Sequence, residues 1–269
     1  MERRVLYIMY VMMFALCAAS CSEGVDVVDR YVDVEISTTI EGEYASRAEG
    51  GFEVDDDIYN MRYTIELWSN SEVIYRAEDI VADISKSLTH SFRAVAGDYQ
   101  LVIFADYVTA DDSYYDTSEG LDEITITENS YTANDPSRDC YGYSEELIIT
   151  SSFSLSDITL KRPMAKMTLA DVEPTNVTEG KSVDITYNRS IPYGYNLLNG
   201  EVITSKEVTV SYPTTKANQT IAFDYIFVAE PTNYLMTFKV GDKEVSATIN
   251  FEQNKTTNIT ATFFETITE

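Results

Sequence analysis

The sequence predicts an all-β protein built from packed sheets. About fifteen short segments alternate apolar and polar residues with period two, and turn signals recur between them every ~8–12 residues. No stretch sustains the 3.6-residue period of an amphipathic helix. The residue types agree, because 20 tyrosines and many Thr, Val and Ile suit pleated, half-buried surfaces. With 44% hydrophobic residues the chain can bury a core, and its 269 residues suit one large or two modest domains.

The elements follow in order. Met1–Arg4 is a short basic start, and the sixteen residues VLYIMYVMMFALCAAS that follow are too short for a spanning helix but have the order of a secretory signal. Cys17 follows the bulky Leu16, whereas Cys21 follows Ala18, Ala19 and Ser20, a pattern that resembles the lipobox of bacterial lipoproteins. Residues 1–20 therefore read as a lipoprotein signal peptide, with Cys21 the acylated first residue of the mature chain. Its acyl chains would hold the protein at a membrane face. Residues 31–40, YVDVEISTTI, form a strand with Val32, Val34 and Ile36 on one face and Asp33, Glu35 and Ser37 on the other. The Gly- and acid-rich loop after it carries an isolated trypsin-like point, Arg47-Ala48.

Alternation resumes at 61–69, 72–77, 87–94 and 98–108, the last with an almost continuous apolar centre. An acidic, aromatic loop at 109–120 precedes strands at 121–127, 145–150 and 153–160. The phrase KRPMAKMTLA, with Pro163 suited to a strand start or an edge, divides the chain into an N-terminal domain at 21–160 and a C-terminal domain at 161–269. Further strands are expected at 164–170, 182–188, 206–212, 220–228, 233–240, 244–250 and 257–264, without an internal repeat in the sequence.

Site chemistry is sparse. A net charge of −26 opposes nucleic acid as a partner. The single histidine, His90, and the lone body cysteine, Cys140, leave no triad to assemble and no internal disulfide. Asp55–Asp57 and the group Asp111, Asp112 and Asp116 lack the spaced ligands of a calcium loop, so no metal site is expected, and no phosphate loop points to a cofactor. The chain reads as a non-enzyme. Tyrosines in SYYD, CYGY and PYGYN offer faces that could stack on sugars, set against the simpler role of core packing.

The ordered set of a lipobox cysteine, a strand ending near SRA, MRYTIELW, AGDYQLVIFADYV, TENSYTANDPSRDCYGY, KRPMAKMTLADVEP, ITYNRSIPYGYN and DYIFVAEP resembles the fimbrillin-like lipoproteins of Bacteroidales, the subunits of type V pili. The resemblance implies two transthyretin-like β-sandwich domains in tandem and export to the outer membrane. It also implies cleavage after the arginine matching Arg47. That cut would remove the strand 31–40, and a strand from another pilus subunit would insert in its place. Only ETITE follows the last strand, which points to a minor or tip subunit. The alternative is a non-polymerising surface lipoprotein that binds glycan or host protein.

Overall fold

In a computed structural model of the protein, the described residues are 30–41, 54–55, 57–82, 84, 86–110, 112–127, 134–172, 181–213 and 220–263. Residues Val32–Glu269 form one compact unit. Among the described residues the regular structure is strand, apart from one 3-10 turn at Pro136–Arg138.

The first half of the chain holds β1 (Tyr31–Ile40), β2 (Asn60–Ser69), β3 (Glu72–Val81), β4 (Ser87–Val95), β5 (Gly97–Val108), β6 (Tyr115–Asp116), β7 (Ile124–Ile126), β8 (Cys140–Ile149) and β9 (Phe153–Leu160). The second holds β10 (Met164–Asp171), β11 (Ser182–Tyr187), β12 (Ile191–Asn196), β13 (Glu201–Lys206), β14 (Thr209–Pro213), β15 (Thr220–Phe227), β16 (Thr232–Val240), β17 (Lys243–Phe251) and β18 (Thr256–Ala261). The strand expected at 31–40 has those bounds. The one expected at 145–150 begins five residues earlier, at Cys140, and β6, β12 and β13 were not anticipated. Pro192 and Gly194 argue against a strand at β12 on local grounds. There, close approach decides: a Cβ on Gly194 would lie 2.7 Å from Thr204 Oγ1.

Each half forms a two-sheet sandwich. In the first, β4-β1-β9 faces β3-β2-β5-β8; in the second, β15-β10-β18 faces β14-β11-β16-β17. When β6, β7, β12 and β13 are set aside and the remaining strands of each half are counted in chain order, both halves have the same two sheets, 4-1-7 and 3-2-5-6. In both, the first strand runs parallel to the last. The fold thus repeats although the sequence shows no repeat, because alternation and turns can be kept while residue identities drift. Tight hairpins set the register. Asn70 and Ser71, at φ 51° and 65°, make the two-residue turn between β2 and β3, where Ser69 faces Glu72. Gly241, at φ 60°, opens the turn joining β16 to β17.

The four strands set aside form a fifth sheet, β13-β12-β7-β6, that draws on both halves. It covers a third core between the sandwiches, made of Trp68, Phe104, Tyr115, Tyr195, Phe223 and Phe227 with their neighbours. This core explains the unbroken apolar centre of β5. Leu101, Ile103 and Ala105 face the core of the first sandwich, whereas Val102 and Phe104 face the shared one.

Candidate functional site

The first strand occupies a seat formed by its own sandwich. β1 lies between β4 and β9, with Val34 opposite Phe153 and Ile36 opposite Leu155. Period-two geometry sends Val32, Val34, Ile36 and Thr38 to one face, where they are 7%, 1%, 0% and 1% exposed. The three aliphatic side chains complete a core that includes Met61, Tyr63, Ile65, Leu101 and Ile103. Asp33, Glu35 and Thr39 on the other face are exposed to solvent. Polar contacts there are light: the Ser37 and Thr89 hydroxyls are 3.2 Å apart, and Asp33 meets Arg93 at 3.4 Å with both side chains mostly exposed. The apolar face dominates the attachment, at about 1.5–3 kcal/mol per fully buried aliphatic side chain.

A second constellation joins the sandwiches through buried charge. The segment Asn134–Asp139 lies along β15: Asn134 N donates to Phe223 O at 3.1 Å, and Asn134 Oδ1 accepts from Phe223 N at 2.7 Å. Asp135 caps the 3-10 turn by accepting from Ser137 N, which aims Arg138 inward. Arg138 pairs with Asp224, and its Nη2 donates to Tyr225 O at 2.8 Å; the Tyr187 hydroxyl also donates to Asp224. Arg162 grips Asp139, to which Tyr141 Oη donates at 2.9 Å. Within the first sandwich Arg62 binds Asp106 bidentately at 2.7 and 2.9 Å, and burial pushes the Asp106 carboxyl up to about 6 against that pull. Glu66 is fully buried and accepts from Arg76, Trp68 Nε1 and Leu121 N. These carboxylates hold the fold together; they are not an exposed acid pair of the kind that hydrolyses glycosides.

Of the residues singled out in the sequence, Val32, Val34 and Ile36 come together in the seat, while Cys21, Arg47 and Ala48 lie outside the described residues. The tyrosines raised as sugar platforms are mainly internal: Tyr114, Tyr115, Tyr141, Tyr193 and Tyr195 are all buried. Cys140 is wholly buried beside Met164 Sδ, and burial pushes its thiol well above the usual range, so it packs as a small apolar group. His90 in β4 bridges Asp79, with Nδ1 at 2.6 Å, and the Tyr75 hydroxyl, 2.8 Å from Nε2, clasping β4 to β3. No group of three metal-ligating side chains occurs among the described residues. An open groove of about 690 Å³ is lined by Trp68, Tyr99, Gln100, Asp122, Asn196 and Asn199, among others. Two features escaped the sequence reading. Thr38 extends the inward face, as its place in the alternation could have indicated; the pairing of Arg138 with Asp224 left no local trace.

Residues 26–268 match the model of a family of unknown function, DUF6562. The chain belongs to that family. No curated protein matches it. Among solved structures, a candidate cell adhesion protein of Bacteroides eggerthii shares the fold at a TM-score of 0.50 and 12% identity, covering 87% of each chain. The tip fimbrial protein Mfa3 of Porphyromonas gingivalis aligns at 0.49 and 11% identity over 82% of this chain and 81% of its own. A candidate polysaccharide-binding protein of Bacteroides thetaiotaomicron aligns at 0.48 and 11% identity over 80% of this chain and 78% of its own.

Proposed function

We propose that this DUF6562 protein is an adhesive fimbrial subunit, exported as a lipoprotein through Cys21, in which β1 holds a seat later taken by a strand of another subunit. The observation that carries the reading is the seating of β1. It lies between two strands and buries one face through Val32, Val34 and Ile36, with the other face open to water. Hydrolysis of the Arg47–Ala48 bond would free β1 from the rest of the chain. Its departure would leave β4 and β9 with unpaired backbone groups above an apolar slot, which an incoming strand satisfies by β-addition. The adhesion and fimbrial names of proteins with this architecture agree with the reading.

The test is the N-terminus of the protein sheared from cells. Mass spectrometry should find it at Ala48, with peptides from neighbouring subunits co-purifying. A surface protein uniformly beginning at acylated Cys21 would overturn the exchange step. The second reading is a non-polymerising surface lipoprotein that binds glycan, and the open groove favours it through its amide and carboxylate groups beside Tyr99. Saturable binding of one glycan class by the full chain, lost on Gln100→Ala, would select it.

A further inference from the structure

The seat is not equally matched to β1 along its length. Three of the four buried side chains on the inward face, Val32, Val34 and Ile36, are branched aliphatics in an apolar core. The fourth, Thr38, is 1% exposed, and its hydroxyl has no hydrogen-bond partner. The neighbouring hydroxyl of Ser37, on the outer face, is better placed, since it reaches Thr89. The surroundings of Thr38 explain the difference. It stands opposite Ile158, itself 3% exposed, and on its own strand it lies between Ile36 and Ile40 of the same face. The ladder to β9 is also irregular just before it. Ile36 faces Leu155 and Thr38 faces Ile158, so Ser156 and Asp157 bulge against Ser37 alone, with Asp157 at φ 67°. Thr38 is thus held in a dry, aliphatic position where a hydroxyl is stripped of water without compensation.

We infer that the seat selects a partner strand carrying a branched aliphatic residue where β1 carries Thr38, and that this mismatch makes β1 a replaceable occupant. Valine has the shape of threonine but no hydroxyl to desolvate, so it fits the same position without a clash. The partner then presents branched aliphatics at the four alternate positions that match Val32, Val34, Ile36 and Thr38, running parallel to β9. Its outward residues are free to vary, because that face meets water. The inference rests on the exchange reading above and adds to it the partner's specificity.

The experiment uses the full chain with an engineered protease site at Arg47, nicked there alone so that β1 stays in place without covalent attachment. Two labelled peptides spanning residues 30–41 compete for the seat, one of native sequence and one carrying Thr38→Val. The substitution is in the peptide, so folding of the protein is not at issue. The valine peptide is expected to displace β1 and to outcompete the native peptide about tenfold at equilibrium. Equal uptake of the two peptides, or preference for the native one, would overturn the inference and leave strand exchange standing. Uptake of neither would remove both.

Discussion

Arg138 and Asp224, 86 residues apart in sequence, meet where water is excluded, at 1% and 0% side-chain exposure. The pair lies between Tyr187, which donates to Asp224, and the face of Tyr114, 5.1 Å from the guanidinium carbon. Removing one partner leaves an uncompensated buried charge. Asp224→Ala should therefore cost about 3–5 kcal/mol in urea unfolding. Replacing both with apolar residues, Arg138→Met with Asp224→Leu, should recover most of that loss, since no charge is then stranded. If the double variant were as unstable as the single one, the pair would supply attraction rather than compensation. Nothing in the local pattern around Arg138 shows this partner. Arg138 ends the 3-10 turn just before β8, and the carboxylate that meets it belongs to a strand of the other sandwich.

At the scale of elements, the comparison of β1 with β10 is informative. Both are the first and central strand of a 4-1-7 sheet, and both run parallel to the last strand. They differ in burial: β10 is buried or half-buried along both faces, with Met164 in the shared core and Met167 and Leu169 in its own, whereas the outer face of β1 is wet. Withdrawal of β10 would open two cores, and withdrawal of β1 only one. The seat's energy should accordingly be carried by its inward side chains. Ile36→Ala should cost about 2–5 kcal/mol, read by chemical denaturation, while Glu35→Ala next to it should stay within about 0.5 kcal/mol. Similar costs at the two positions would mean that backbone pairing, not the apolar face, holds the strand. The strand's limits and inward face were legible from alternation alone. β12 was not, because Pro192 and Gly194 are tolerated only through the strands that pack beside it.

For the whole molecule, the tyrosines set a stability limit in alkali. Burial pushes Tyr195 up to about 12 against the pull of the Gln253 amide, and burial with the nearby Asp139 charge pushes Tyr107 up to about 12. Tyr115, Tyr141 and Tyr225 are held well above the usual range, chiefly by burial. A group whose pKa is raised on folding contributes stability that is fully present below its unfolded value, near 10, and lost as the pH rises through the folded value. The protein should therefore keep its stability at pH 9 and unfold cooperatively between about pH 10 and 12. Absorbance at about 295 nm should show several phenols ionising together with loss of the β-sheet circular dichroism signal. Independent, gradual titration of tyrosines in a protein that stays folded would contradict the shared aromatic core. Tyr195→Phe should delay the transition, since one buried phenol no longer has to ionise.

The sequence by itself determined the strand content and the inward placing of Val32, Val34 and Ile36 in β1, because alternation and residue type are local properties. The tertiary structure alone decided the repeat of strand order, the sheet built from both halves, the partners of the buried arginines and the dry position of Thr38. Each of these depends on which distant strand comes to lie alongside, and a period-two pattern fits many neighbours equally well. Packing and the need to satisfy buried polar groups choose among them, and that choice is made only when the whole chain has folded.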